Sequence, residues 1–472
     1  MATTTRTEHD SIGSREVPVD AYYGVQTLRA VENFPISGIP ISAFPHFVRA
    51  LAIVKKACAL ANHELDNLEV HKKDAIVAAC DEILAGRLHE WFVVDMVQGG
   101  AGTSTNMNAN EVIANRGLEL LGYRKGDYAH LHPNDDVNRS QSTNDSYPTS
   151  VKIGVVLAGR ASGSALDALH DAFEGKAAEF ADVIKMGRTE EQDAVPMTLG
   201  QEFHAYATMI ATARDRLVDA ARLLLRVNQG ATAIGTGINS PPGFAEAVVK
   251  RLQETSGLPV RGAGDLIEAT QDAGEYVQLS ATLKRAAVQI SKICNDLRIL
   301  SSGPRCGLGE IRLPSLQPGS SIMPGKVNPV IPEMVNQVCY QVIGNDVTVT
   351  MAAEAGALEL NAMEPIIALN LFQSIELLMN ACRVLAAKCV VGIEADRERC
   401  RAYVHDSIGI VTALTPVLGY ERSASIAKEA LATGARVYDL VLGRGWITRE
   451  ALDEMLAPEN MTHPRKLPVG RI

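Results

Sequence analysis

Four short stretches of this 472-residue chain group side chains that could move a proton or hold an anion. Gly319-Ser320-Ser321-Ile322-Met323-Pro324-Gly325-Lys326-Val327-Asn328-Pro329 puts two hydroxyls, a lysine and an amide on one segment bracketed by glycine and proline. Thr103-Ser104-Thr105-Asn106-Met107-Asn108 follows the glycine-rich Gly99-Gly100-Ala101-Gly102. Ser142-Thr143-Asn144-Asp145 follows His132-Pro133-Asn134-Asp135, and Gly187-Arg188-Thr189-Glu190 precedes Gln192-Asp193-Ala194-Val195-Pro196. Hydroxyls and amides aimed at one point can stabilise a developing oxyanion, and a lysine can offset an anionic substrate. Each stretch also has a plainer reading. Ser, Thr, Asn and Asp are favoured at helix N-termini, and 319–329 could be an exposed connection between two helices.

Several familiar chemistries are excluded. Five residues rather than four separate Gly319 from Gly325, and Val327 stands where a phosphate-binding loop has a magnesium-holding Ser or Thr. His63-Glu64 has Asn67 in place of the second histidine of H-E-x-x-H, and no G-x-S-x-G elbow occurs. The Gly99–Gly102 run does not give G-x-G-x-x-G after a clear strand, so a dinucleotide is not expected. The eight cysteines (58, 80, 294, 306, 339, 382, 389 and 400) form no C-x-x-C pair. Most lie in apolar helical stretches, as reduced core thiols of a cytoplasmic protein do. No metal and no cofactor are expected.

The elements that must carry these stretches are helical. Leu166, Leu169, Phe173, Ala177 and Phe180 recur at helical spacing, and a second pattern runs from about Ala205 to Val227. A third carries Tyr276, Leu279, Leu283, Ala286, Ile290, Ile293 and Leu297 and stops at Ser301-Ser302-Gly303-Pro304; two more span about 331–353 and 364–392. Only 2 Trp, 11 Tyr and 9 Phe are present, which suits close helix-on-helix packing better than a β-sandwich. The limits fall near 142 and 398. Residues 1–142 make a mixed, mostly helical domain, 143–398 a central long-helix bundle, and 399–472 a small helical domain ending in a proline-containing tail, 464–468. Apolar residues on more than one face, such as Ala286, Ala287, Val288 and Ile290, predict burial against other copies, a homo-oligomer. With 45 Lys plus Arg against 55 Asp plus Glu, the net charge is −10, a poor match for nucleic acid. No apolar run approaches the roughly 18 residues of a membrane span, and the polar Met1–Gly13 is no signal peptide.

In the same order, G-A-G-T-S-x-N-M-N-x-N-E at 100–111, H-P-N-D-D-V-N at 132–138, S-Q-S-T-N-D at 140–145, G-R-T-x-x-Q-D at 187–193 and the 319–329 segment resemble the motifs of the aspartase/fumarase superfamily. The likeness covers nearly the whole chain. Arg15-Glu16-Val17-Pro18, Asp20-Ala21-Tyr22-Tyr23-Gly24-Val25 and Asn328-Pro329-Val330-Ile331-Pro332-Glu333 resemble its ammonia-lyase branch rather than its hydratases. The resemblance implies a mainly α, three-domain fold with a central long-helix bundle. It also implies a homotetramer with active sites shared between subunits, and reversible elimination of ammonia from L-aspartate to give fumarate.

By the same resemblance Ser320 is the general base that takes the Cβ proton. Thr103, Ser142, Thr143 and Ser321 would donate to the aci-carboxylate that results, and Lys326, Asn328 and Thr189 would hold the α-carboxylate. Asn144 would meet the amino group. Glu190 departs from the family, which has His or Gln there; it would lie near Glu333 and could bind a protonated amine. His132, Asn134 and Asp135 match a second anion site. The competing readings are a class II fumarate hydratase, a carbon–nitrogen lyase on another N-substituted aspartate, and a non-catalytic structural member.

Overall fold

The computed structural model describes residues 4–464, so the tail beyond Pro464 lies outside the described residues. The architecture is mainly α. Its longest helices are Leu199–Leu223, Gly274–Leu300, Val330–Glu354 and Glu364–Lys388, each roughly 38–40 Å long at 1.5 Å per residue. The β structure among the described residues is four two-stranded pieces. No helix there is long and apolar enough to cross a membrane.

The second helical pattern is displaced from its expected place. The helix starts at Leu199 because Thr198 and Gln201 cap it reciprocally: Gln201 N donates to Thr198 Oγ1 (3.1 Å) and Thr198 N to Gln201 Oε1 (3.0 Å). It ends at Leu223, and Arg226–Val227 pairs instead as a parallel strand with Arg261–Gly262. Polar groups fix that exit. Arg226 is clamped by Glu268 (2.8 Å) and Glu275 (2.7 Å), while buried Lys152 donates to the Arg226 carbonyl (2.9 Å).

The chain forms two compact units. The first comprises residues 4–163 with Ala213–Ala287 and Tyr340–Met379; the second comprises Ser164–Thr212, Val288–Cys339 and residues 380–464. Each of the four longest helices gives one end to each unit. In the first unit the buried helix Pro45–Glu64 packs against Val70–Leu84, Thr143–Ser162 and Phe244–Ser256. Phe47 anchors it, with Phe372 and Tyr147 at ring separations of 5.2 and 5.7 Å. Gly154 permits the approach: a Cβ there would lie 3.2 Å from Phe47 Cα. Amides add direction, as where Asn345 Nδ2 donates to Ser374 Oγ (3.0 Å).

The second unit concentrates Phe173, Phe180, Phe203 and Tyr206 in one cluster with ring separations of 5.3–5.9 Å. Tyr206 OH donates to Asp296 (3.0 Å) and Asn336 Nδ2 to Ser291 Oγ (2.8 Å), tying three long helices together. Its hairpin, β3 (Ile184–Thr189) with β4 (Gln192–Thr198), was not foreseen, nor was the N-terminal hairpin of β1 (Thr5–Asp10) with β2 (Gly13–Pro18). Ile184 and Met186 of β3 are buried with Leu414, Ile426, Val441 and Leu452 of the C-terminal helices.

Candidate active site

In the first unit, Gly100, Ala101 and Gly102 all take left-handed backbone (φ +85°, +55°, +88°), and a turn of that kind launches the helix Thr103–Leu120. Glycine is required at 102, since a Cβ would come within 2.4 Å of the Tyr147 ring. Thr103 is exposed, and its hydroxyl donates to Gly100 O (2.7 Å), so its single proton is committed in this conformation.

The helix behind Thr103 is unusually polar for a buried one. Asn106 Nδ2 donates to Thr143 Oγ1 (3.2 Å), and Asn106 Oδ1 accepts from the Lys55 ammonium (2.6 Å). Lys55 is fully buried, and Asn138 and Gln141 complete its coordination at 2.9 Å each. Burial pushes its pKa down to about 8. Because Thr143 Oγ1 accepts from Asn106, its own O–H remains for another partner; no hydrogen bond among the described residues uses it.

Ser142 caps the helix Thr143–Ser162 in a capping box with Asp145. The capping reading is therefore correct for this stretch and compatible with a second role, since Ser142 Oγ only accepts, from Asn144 N at 3.2 Å. Asn144 Nδ2 donates to Ala233 O (2.8 Å), and Asp145 Oδ2 accepts from Gly230 N (3.1 Å) and Thr232 N (3.0 Å). Burial outweighs those donors and raises the Asp145 pKa to about 6. The segment 228–233 thus seats the Ser142–Asp145 turn. The sequence analysis ends its second helical pattern at Val227 without assigning 228–233 a role, and it does not single out Lys55. Signals were there: Gly230, Gly235 and Gly237 crowd one polar stretch, and Lys55 interrupts an apolar helical run.

His132, Asn134 and Asp135 form a self-contained turn. His132 Nδ1 accepts from the backbone N–H of Asn134 and of Asp135 (3.2 Å each), which places the ring proton on Nε2. The same Nδ1 lies 3.6 Å from an Asp135 carboxylate oxygen, and the two amide contacts decide its role as an acceptor. Those amides, which could otherwise hold an anion, are occupied by the ring.

In the second unit the 319–329 segment closes on itself. Gly319 N donates to Lys326 O (2.7 Å) and Asn328 Nδ2 to Gly319 O (2.7 Å), so Asn328 forms the neck of the loop. A Cβ at Gly319 would lie 2.6 Å from Lys326 O. Ser320 Oγ, half-buried, accepts from Ile322 N (3.2 Å) and Met323 N (3.0 Å). Two N–H groups converging on one hydroxyl oxygen are what an alkoxide there would need. Ser321 and Lys326 are exposed.

Thr189 and Glu190 stand at the tip of the β3–β4 hairpin, both exposed. The two-residue turn uses Glu190 and Glu191, each with left-handed backbone (φ +53° and +61°) where Asn-Gly is the usual choice. Arg188 turns inward to Glu310 (2.8 Å). The candidates therefore form local groups: Thr103, Ser142, Thr143 and Asn144 in the first unit, and Thr189 with Glu190, and Ser320, Ser321, Lys326 and Asn328, in the second.

Two family models match the chain, "Lyase" over residues 13–344 and "Fumarase C C-terminus" over 410–463. It is 57% identical over 467 residues to the aspartate ammonia-lyase of Pseudomonas aeruginosa, covering 99% of this chain and 98% of that one. It is 55% identical over 465 residues to that of Escherichia coli strain K12, covering 98% and 97%. Among solved structures, a fumarate lyase:delta crystallin from Brucella melitensis bound to cobalt is similar with a TM-score of 0.95 and 58% identity, covering 98% of this chain and 100% of that one. A class II fumarase from Schistosoma mansoni gives 0.93 and 36% over the same shares. The order of the polar motifs, the long-helix fold and likeness over the full length agree: this chain belongs to the aspartase/fumarase superfamily.

Proposed function

We propose that the protein catalyses reversible elimination of ammonia from L-aspartate to give fumarate, as a cytoplasmic carbon–nitrogen lyase. The observation that carries this reading is its near-full-length identity, above 50%, to aspartate ammonia-lyases, against 36% to the class II fumarase. The Cβ proton of aspartate is a very weak acid, and removing it needs a strong base and a sink for charge. Ser320 is the base, its alkoxide stabilised by the Ile322 and Met323 amides. The electron pair moves into the adjacent carboxylate as an aci-carboxylate, held by hydroxyls of Thr103, Ser142, Thr143 and Ser321. For Thr103 this requires its hydroxyl to turn away from Gly100 O when substrate arrives. The pair then returns, the C–N bond breaks, and ammonia departs already protonated, so no general acid is needed. Lys326, Asn328 and Thr189 hold the α-carboxylate and offset its charge.

Asn144 and Glu190 face the departing ammonium in this reading. Glu190 offers a carboxylate where a neutral amide would be a weaker partner for a cation, and it favours amine substrates, including N-substituted aspartates. Replacing it, Glu190→Gln, is expected to lower activity on N-substituted aspartates relative to aspartate; an unchanged ratio sinks the role. The turn formed by His132, Asn134 and Asp135 serves as a second anion site only if the ring releases the Asn134 and Asp135 amides. The active form is a homotetramer with sites shared between subunits, supported by apolar side chains exposed along the long helices, among them Val288, Tyr340, Val347 and Met351. Eight free cysteines, seven of them buried, fit a reducing cytoplasm.

The test is fumarate absorbance on incubation with L-aspartate and, separately, with L-malate. Fumarate from aspartate alone is expected, with a loss of roughly a thousandfold in Ser320→Ala. Fumarate from malate alone makes the protein a hydratase, and fumarate from neither excludes aspartate as its substrate.

A further inference from the structure

Between the helix Gly274–Leu300 and the Gly319 loop the chain passes through Glu310, whose carboxylate is fully buried (0% exposed). Two cations face it, both on β3. Lys185 Nζ lies 3.1 Å from one oxygen and Arg188 Nη1 donates to the other at 2.8 Å. Lys185 also holds Glu202 at 2.6 Å. Residues three apart on a regular strand point to opposite faces. Here the β3–β4 register breaks between Met186 and Arg188, and both side chains reach one carboxylate. Glycine at 187 permits the break, since a Cβ would sit 2.8 Å from Val195 O.

The backbone of Glu310 is held as firmly as its side chain. Its N–H donates to Leu300 O (2.9 Å) and its carbonyl accepts from Asp396 N (2.8 Å). The next two residues, Ile311–Arg312, pair with Glu394–Ala395. Glu310 is therefore a fixed point at the root of the segment that leads to Ser320. A buried ion triad is a poor means of gaining stability, because desolvation offsets most of the attraction. Its geometric effect is specific: each cation is directed, and the residue after Arg188 is Thr189.

We propose that Glu310 is a positioning residue for the reaction: by holding Lys185 and Arg188 it fixes the end of β3, and so sets the Thr189 hydroxyl from the same anchor that roots the Ser320 loop. This rests on the reading of Thr189 as a donor to the substrate α-carboxylate. That contact exists in ground state and transition state alike, so its loss raises KM and spares kcat.

The experiment is a double-mutant cycle on the full-length protein, with KM and kcat for L-aspartate measured separately. Glu310→Gln keeps the shape of the side chain and removes its charge. It is expected to raise KM about tenfold with kcat within about twofold, and Thr189→Val is expected to do the same. If Glu310 acts through Thr189, the double variant is no worse than Thr189→Val alone. Effects that multiply, or a fall in kcat with KM unchanged in Glu310→Gln, overturn the proposal. A KM rise in Thr189→Val but not in Glu310→Gln overturns only the positioning role; no rise in Thr189→Val overturns the assignment of Thr189 and this role with it. Should Glu310→Gln fail to fold, Arg188→Gln enters the same cycle with the same expectations.

Discussion

Glu364 begins the helix Glu364–Lys388, is 7% exposed, and lies within electrostatic reach of Lys152, Tyr147 and Tyr276. Burial raises its pKa from 4.5 to about 8, against a smaller opposing effect of Lys152. Between those two values the folded protein binds more protons at this site than the unfolded chain does. Its contribution to stability therefore falls as pH rises through that window. Lys55 works in the opposite sense: its folded pKa of about 8 lies below the ordinary 10.5, so its contribution rises with pH across that interval. Glu364→Gln removes one titration and leaves the other. The variant's Tm minus that of the parent protein is expected to grow from pH 5 to pH 8.5 in the variant's favour. A flat difference in a thermal-shift series would mean that Glu364 is not held neutral. The same contrast explains what the sequence conceals at this scale. Ser320 and Lys326 stand out because glycine and proline frame them, whereas Glu364 and Lys55 are ordinary letters until burial changes their chemistry.

At the scale of elements, repeat spacing makes long helices legible, and the helix carrying Tyr276 to Leu297 ends where Ser301-Ser302-Gly303-Pro304 predicts. Hairpin β3–β4 was hidden for physical reasons. Four consecutive residues, Ile184 to Gly187, are buried on a strand that shows no alternation, and its turn is Glu-Glu rather than a glycine pair. The Thr198-x-x-Gln201 box that begins the next helix was readable and passed unread. The segment 228–233 belongs to no regular element at all, so no periodicity could announce it. Its role emerges only when its N–H groups are seen on Asp145. The motif stretches themselves are of three structural kinds: Ser142 a helix cap, Thr189 a strand end, Ser320 a loop. Common structure does not account for their polar composition; the mechanism proposed above would, by giving them one chemistry.

For the whole molecule, the helix Val330–Glu354 leaves Tyr340, Val347 and Met351 57%, 56% and 67% exposed, at spacings of seven and four that place them on one face. The homotetramer proposed above would bury this stripe against a further copy of the chain. Val347→Asp combined with Met351→Asp is expected to lower the assembly mass measured by light scattering. Fumarate formation should fall with it by about tenfold or more. An unchanged mass would remove this face from the interface. The net charge of −10 makes the chain a poor match for nucleic acid and leaves the small dianion open, because hydroxyls, amides and one lysine can bind it locally.

The two units, each gathered from three separate stretches of chain, have a consequence for biosynthesis. The first unit needs Tyr340–Met379, and the second has already begun at Ser164. At about 5–20 residues per second, synthesis from Gly163 to Met379 takes on the order of 10–45 s. For that time the helices Pro45–Glu64 and Thr143–Ser162 are on the nascent chain without Phe372, the ring that closes over Phe47. The apolar face that Phe372 covers has to wait for it, and a chain cut before Met379 would lack part of both units.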